Sequence, residues 1–306
     1  MNKIELEFHQ FSKTLDGSTA VGLSGGSDSV ALVYLAQNFI KDFDVVFFSH
    51  GDNPLVGDDT EAVELCKKIC KDLGKTLHIV ELDLEKSRAG WEASGHKARK
   101  NYAMTHYDNF LLGHHLDDVC ENYFIQLMRG AGSARVLKSE ATMKRPLLKF
   151  SKEEIKTYLT ERNITWVEDT TNDNTDITRN YWRQVVLPQI EQHYPQYRSR
   201  MATAVAVEQQ NMTLLKDLAV LDGLDNFVAN NKINVKLSDT RLSSLLYFYF
   251  KEKKISVQRP KLEEFIKQIA RPQKVITSDL LGPHITVTKT SSGIDLSLTL
   301  QKKPKP

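Results

Sequence analysis

Two short strings in this 306-residue chain combine residue types that could do chemistry together. The first is Ser24-Gly25-Gly26-Ser27-Asp28-Ser29. Two adjacent glycines let a backbone turn tightly and approach a ligand closely. If a helix follows, its first amide groups and the positive end of its dipole form an anion site. Three serine hydroxyls add donors, and Asp28 can hold a magnesium ion through water. The same residue types also serve as ordinary helix caps. What favours the phosphate reading is the whole six-residue string set between an apolar run and a helical pattern. The spacing is neither G-x-x-x-x-G-K-[ST] nor G-x-G-x-x-G.

The second string is Gly113-His114-His115-Leu116-Asp117-Asp118-Val119-Cys120-Glu121. On a helix starting near Asp117, Asp118 and Glu121 share one face a turn apart. Two carboxylates so close repel each other and favour a cation, either an ammonium group or a metal. His114 and His115 precede that helix, where a proton acceptor or a phosphate contact is expected. The acids could also serve only the helix dipole.

Both strings depend on the elements that carry them. Ser18–Leu23 reads as a strand, with a helix from about Ser29 to Phe39. Val45–Ser49, Leu77–Leu82 and Asn109–Gly113 read as further strands, separated by helices over Glu61–Leu73 and Glu92–His106 and followed by one over Asp117–Met128. Alternation of this kind predicts an α/β fold with a parallel sheet covered on both faces. Its ligand crevice lies beyond the carboxyl ends of the strands, so the turns after Leu23 and Leu112 are expected at one edge. Residues 1–15 read as an amphipathic helix. After about residue 150 the alternation ends. Lys152–Arg162, Tyr181–Asn231, Leu242–Lys253 and Lys261–Ala270 carry helical patterns, and Ile285–Lys289 with Ile294–Leu300 reads as a hairpin around Ser291-Ser292-Gly293. The expected division is residues 1–195, 196–235 and 236–306: a catalytic α/β domain, a helical domain and a small C-terminal α+β region.

Bulk composition narrows the class. Hydrophobic residues make up 41% and charged residues 26%, ordinary values for a globular chain. The formal net charge is +2, so any nucleic-acid surface must come from local clustering. One such cluster is Arg129, Arg135, Lys138, Lys144, Arg145, Lys149 and Lys152, with Glu140 as the single acid. A second runs from Lys251 to Lys274. Cys66, Cys70 and Cys120 lack metal-type spacing, and Cys66 and Cys70, four apart in a helical pattern, read as buried thiols. With neither an apolar leader nor a membrane-length apolar run, a cytoplasmic protein is expected.

The first string resembles the S-G-G-x-D-S loop of the N-type ATP pyrophosphatases. These enzymes cleave ATP between its α and β phosphates, transfer AMP to a substrate oxygen and release pyrophosphate. The stretch His114–Gly132, HHLDDVCENYFIQLMRGAG, resembles the H-H-x-x-D-D/x-x-E-T…L-x-R-G-A-G segment of the tRNA(Ile)-lysidine synthetases, with Asn122 in place of threonine. A third block is similar to that family's signature as well: Arg145-Pro146-Leu147-Leu148, Ile155, Tyr158, Leu159, Trp166-Val167-Glu168-Asp169, Asn172, Thr178-Arg179-Asn180, Arg183 and Leu187-Pro188. Two segments depart from it. Phe48–Pro54 keeps His50-Gly51 but lacks the family's arginine, and GWEASGHKARKNY matches loosely through Arg99 and Tyr102.

The resemblance implies that ATP, with Mg2+ on Asp28, adenylates O2 of the wobble cytidine of a CAU-anticodon isoleucine tRNA. Free L-lysine then displaces AMP. It assigns Ser24, Gly25, Gly26, Ser27, Asp28 and Ser29 to the nucleotide and makes Asp28, His114, Asp118 and Glu121 catalytic. Arg99, Asp118, Glu121, Arg129, Arg145, Arg179, Asn180 and Arg183 are assigned to the substrates. No membrane partner is implied, and a homodimer stays open beside the monomer. The alternative is another adenylating enzyme of the superfamily, a tRNA thiolase or an amide synthetase.

Overall fold

The structure is a computed structural model that describes residues 1–49, 59–82, 91–129, 140–168, 178–233, 237–255, 257–281, 284–289 and 294–299. It divides into two compact units, residues 1–128 with 135–204, and residues 129–134 with 205–306.

The first unit is an alternating α/β structure. Its elements are α1 (Lys3–Ser12), β1 (Thr19–Gly22), α2 (Ser27–Phe39), β2 (Asp44–Ser49), α3 (Thr60–Asp72), β3 (Leu77–Glu81), α4 (Trp91–His106), β4 (Asn109–Leu111), α5 (Leu116–Met128), β5 (Met143–Lys144) and α6 (Lys152–Thr160). There follow α7 (Thr178–Tyr181), a π-helical turn (Trp182–Val186), α8 (Leu187–His193) and the start of α9 (Tyr197–Leu221). The five strands are all parallel, in the order β3-β2-β1-β4-β5. The expected parallel sheet is present, and β5, a two-residue strand too short for a periodicity signal, completes it.

Strand alternation decides which side chains face which layer. Val21, Val45, Phe47 and Leu111 join a core built with α1, α2, α3 and α6, including Phe8, Val30, Leu32, Leu35, Ile69 and Tyr158. Their neighbours Ala20, Val46, Phe48 and Phe110 face the opposite way, onto Tyr102 and Ala103 of α4. Buried on both faces, these strands are near-continuous apolar runs, as a covered parallel sheet requires. Capping boxes open two of the helices: Asn2 with Glu5 for α1, Ser151 with Glu154 for α6.

The chain leaves β1 toward β2 and β3, then returns to β4 and β5 on β1's other side. That reversal is a switch point, and it opens a crevice beyond the carboxyl ends of β1 and β4. Both chemical strings begin there. At the reversal the turn after β4 presses on the start of α2. A Cβ on Gly113 would stand 2.9 Å from the Asp28 carbonyl carbon and 2.9 Å from the Ser29 nitrogen.

The second unit contains the remainder of α9, α10 (Leu224–Asn230), β6 (Lys232–Ile233), α11 (Asp239–Glu252), α12 (Arg259–Ala270), β7 (Val275–Ser278), β8 (His284–Lys289) and β9 (Ile294–Thr299). Its sheet is antiparallel, β6-β9-β8-β7. The expected hairpin is β8–β9, and its turn residues lie outside the described residues. Phe227, Leu245, Tyr249, Phe250, Phe265 and Ile285 form the core of this unit. No helix among the described residues is long and apolar enough to cross a membrane.

Gly113→Ala should therefore injure the first unit at its switch point. The new methyl group meets backbone that no side-chain rotation can clear, and overpacking of this kind costs about 1–3 kcal/mol. Thermal unfolding should show the loss, and Gly26→Ala, whose Cβ would meet nothing closer than 3.9 Å, should show much less.

Candidate active site

The loop Ser24–Ser29 leaves β1 with the Leu23 amide still donating to Val46 O at 2.9 Å. Gly25 takes φ +85°, a left-handed conformation that costs glycine little. Its Cβ would also press on Ala62 of α3 at 3.2 Å. Helix α2 starts two residues earlier than its apolar pattern suggests. Gly26 is the N-cap, and Ser27 and Asp28 already lie in the first turn. No side chain caps this end, so its amides face the crevice undiverted. Ser29 braces the loop instead: its hydroxyl donates to Gly26 O (3.0 Å) and accepts from the Ser24 amide (3.0 Å). The Val167 amide holds Gly25 O at 3.0 Å. An uncapped helix end behind a braced glycine turn is a site for phosphate oxygens.

Across the crevice, His115 is only 1% exposed and lies among three carboxylates. Its Nε2 is 3.6 Å from Asp28 Oδ2 and 3.5 Å from Asp118 Oδ2, and its Nδ1 is 3.4 Å from Asp117 Oδ2. Burial alone would disfavour the imidazolium, but the Asp117 carboxylate against Nδ1 and the charges of Asp118 and Asp28 outweigh it and raise the pKa. Burial likewise would raise Asp117. His115, the Arg198 guanidinium and the Lys152 amide at 2.8 Å hold it well below the usual carboxylate range. Lys152 also brings Nζ to 3.4 Å from Asp28 Oδ2. The neighbouring His114 behaves oppositely. Burial, opposed by Asp118 and reinforced by Arg145, Arg179 and His115, lowers its pKa to about 4, so it is neutral at pH 7. Its Nδ1 is buried with no hydrogen-bond partner.

One turn along α5, Asp118 and Glu121 are 6% and 0% exposed. In place of an ammonium group or a metal, the chain itself brings two guanidinium groups to these acids. Arg179 donates from Nε to Glu121 Oε2 (2.8 Å) and from Nη2 to Asp118 Oδ1 (2.7 Å). Arg183 donates from Nε to Glu121 Oε1 (2.6 Å) and from Nη2 to Asp118 Oδ1 (3.1 Å). The two arginines project from α7 and the π-helical turn, and Phe124 stacks on Trp182 alongside them with ring centroids 5.2 Å apart. Repulsion between the acids is thus already neutralised by fork-shaped, multidentate pairing. Burial would raise Asp118, yet His115, Arg179, His114 and the His115 amide keep it below its ordinary value. A cleft of about 510 Å3 opens beside this group, with Asp117, Glu121, Lys152, Arg183, Tyr197 and Arg198 in its wall.

Other residues singled out in the sequence lie apart from this group or in different settings. Asn180 is buried in α7. Arg99 is half-buried on α4, where it helps depress the pKa of His96. Arg129 is exposed just beyond α5 and belongs to the second unit. The first basic cluster is corrected as a continuous surface. Arg145 is 4% exposed and faces inward beside Glu140, Lys149 pairs with Glu7 at 2.7 Å, and Lys152 turns to Asp28. Arg135, Lys138, Gly130–Gly132, His50–Pro54, Asp169 and Asn172 lie outside the described residues. The sequence reading named Lys152, Asp117 and His115 without assigning them a site role, and did not single out Arg198; His115 is the residue buried among the acids.

Two outcomes follow. Arg183→Met should destabilise the first unit by about 3 kcal/mol, because it leaves the fully buried Glu121 short of a partner. Denaturant unfolding measures this. The second concerns pH. His114 titrates at 6.5 when unfolded and near 4 when folded, so the unfolded chain binds more protons between those values. Stability should be complete above about pH 6.5 and fall by up to about 3 kcal/mol toward pH 4. His114→Asn should flatten that slope. His115 has the opposite sign, since its contribution is lost as pH rises through its elevated pKa.

Comparison with known proteins agrees with this geometry. The PP-loop domain family matches residues 1–190. A tRNA(Ile)-lysidine synthase of Nitrosomonas europaea is 30% identical over 81% of this chain and 58% of its own length. One from Neisseria meningitidis serogroup B is 31% identical over 69% of this chain and 52% of its own. The chain thus spans little more than half the length of these curated relatives. Among solved structures, the U34-tRNA thiolase NcsA of Methanococcus maripaludis, with its [4Fe-4S] cluster, shares the fold. Its TM-score is 0.55 at 17% identity, covering 68% of this chain and 79% of that one. Matched over more than half its length, through both strings that the sheet's reversal brings together, this chain belongs to the PP-loop domain family.

Proposed function

We propose that this chain is a tRNA(Ile)-lysidine synthetase. It adenylates O2 of the wobble cytidine in an isoleucine tRNA with a CAU anticodon and couples free lysine at C2. The observation carrying this reading is the meeting of an uncapped phosphate loop with a buried acid–histidine group, sharing Asp28, in a chain whose relatives are named tRNA(Ile)-lysidine synthases. In the first step O2 attacks the α-phosphorus, the bond to the bridging oxygen breaks, and pyrophosphate leaves. The amides of Ser27–Ser29, the Lys152 ammonium and the Ser24 hydroxyl are the groups that receive its charge. Asp28 would hold a Mg2+ through its carboxylate, and such an ion would neutralise phosphate charge.

In the second step the lysine ammonium gives a proton to solvent and the amine attacks C2; the bond from C2 to the adenylate oxygen breaks, AMP leaves, and a second proton is released. Asp118 and Glu121 orient the amine, Arg179 and Arg183 hold those carboxylates in place, and neutral His114 is the hydrogen-bond acceptor beside them. The mixed-charge cleft along Glu121 and Arg183 has room for an amino acid. Holding both substrates together supplies much of the acceleration. The rival thiolase reading fares worse. Burial pushes Cys66, Cys70 and Cys120 up to about 12, 11 and 12, so none is a ready thiolate.

The test is pyrophosphate release from ATP with a CAU-anticodon isoleucine tRNA, with and without lysine, followed by mass analysis of the nucleoside. Pyrophosphate should require the tRNA, and lysidine should require lysine. Asp28→Ala should lower both by about 100-fold or more. Asp118→Asn and Glu121→Gln should spare adenylated tRNA more than lysidine. Adenylation followed by coupling of sulfur or another amine would keep the enzyme class and remove the lysine assignment. Pyrophosphate release that ignores tRNA would remove both.

A further inference from the structure

Asp118 and Glu121 are buried against two guanidinium groups, so the charges of this quartet cancel. On the function proposed above, the second step brings a lysine ammonium to the same acids. A third cation against two buried carboxylates would lack a counter-charge, and an unpaired buried ion is costly. The first step supplies the missing anion. Adenylating the cytidine leaves one negative charge on the phosphate that joins it to AMP, beside the phosphate loop. His115 connects that loop to the quartet: its Nε2 is 3.6 Å from Asp28 Oδ2 and 3.5 Å from Asp118 Oδ2.

The two arginines are not placed alike. Arg183 holds Glu121 through both Nε (2.6 Å) and Nη2 (3.1 Å), and its side chain is 26% exposed. Arg179 spreads its fork across the pair, Nε on Glu121 (2.8 Å) and Nη2 on Asp118 (2.7 Å), and its side chain is 37% exposed. A guanidinium that pivots about its Nε bond keeps Glu121 in place and gives up only Asp118. We propose that Arg179 serves two anions in turn. Before adenylation its Nη2 neutralises Asp118. Once the adenylate stands beside the phosphate loop, Nη2 passes to that phosphate, Nε stays on Glu121, and Asp118 takes the lysine ammonium. Charge balances in both states: two guanidinium groups with two carboxylates before, and an added ammonium with an added phosphate after. A lysine that arrives early meets acids already neutralised, so amine entry to the acid pair waits on a completed first step.

The test separates the two steps. Adenylated tRNA is first accumulated from ATP and a CAU-anticodon isoleucine tRNA, and L-lysine is then added over a range of concentrations. Arg179→Ala leaves the acid pair one cation short and the adenylate phosphate without its guanidinium. The lysine KM should fall at least about tenfold while the limiting rate of transfer falls about 100-fold. Removing a guanidinium that merely braced the acids would raise KM instead, since misplaced carboxylates bind the amine worse. With neither ATP nor tRNA, L-lysine should raise the unfolding temperature of Arg179→Ala at concentrations at least about tenfold below those the wild type needs, because its ammonium fills the vacated place. A raised or unchanged lysine KM, or equal stabilisation of both chains by lysine, would overturn the exchange. If Arg179→Ala does not fold, Arg179→Lys decides. Its single ammonium keeps the charge but cannot hold Glu121 and reach the phosphate at once, so transfer should slow at least about tenfold with adenylation retained. Full-rate transfer by Arg179→Lys counts against the exchange. The exchange rests on the proposed function, and the two fail differently. A wild type that forms no adenylated tRNA overturns the function and the exchange with it. A wild type that couples lysine, beside variants that behave as a mere brace requires, overturns the exchange alone.

Discussion

The site depends on one close approach, that of Gly113 to the backbone of Asp28 and Ser29. A strand end and a helix start lie in van der Waals contact there because nothing but hydrogen projects between them. That contact sets the reach from His115 to Asp28, and through them the spacing between the phosphate loop and the acids of α5. The reversal of strand order brings β1 and β4 side by side. The missing side chain turns neighbouring strands into one shared crevice.

Charge is handled in the crevice by alternation. Lys152, Asp28, His115 and Asp118 succeed one another as bases and acids in turn, and Arg179 and Arg183 continue the series onto Glu121. Each buried ion therefore has a neighbour of the other sign, which is the condition for keeping ions out of water at tolerable cost. His114 is the exception, kept neutral by burial beside these charges. Two adjacent histidines in the chain thus have pKa values shifted in opposite directions, because one ring lies among three carboxylates and the other is buried with guanidinium groups nearby.

Much of this was legible in the sequence because it is local. Apolar runs give the strands, periodicity gives the helices, and the turn after β1 carries its glycines and serines in an unbroken string. What was not legible depends on pairs of residues far apart. Arg179 meets Glu121 across 58 positions, and Lys152 meets Asp28 across 124. No periodicity links such residues, so a lysine at the head of α6 looked like one more surface cation. Arg145 misled for the converse reason: its neighbours in sequence are basic, yet it continues inward from β5 and is buried. The two-residue β5 and β6 carry too few residues to stand out from the loops around them.

The ion-pair group of α5 also has a consequence for the order in which the chain assembles. Asp118 and Glu121 leave the ribosome before Arg179 and Arg183, and synthesis adds residues more slowly than helices form. During that interval β1 through β4 and α5 are available, but the two carboxylates of α5 have no guanidinium to meet. Packing that face of α5 is unfavourable until the later segment arrives. The first unit therefore closes from a nascent sheet outward, and its reactive corner is sealed only once residues 178–186 have joined it.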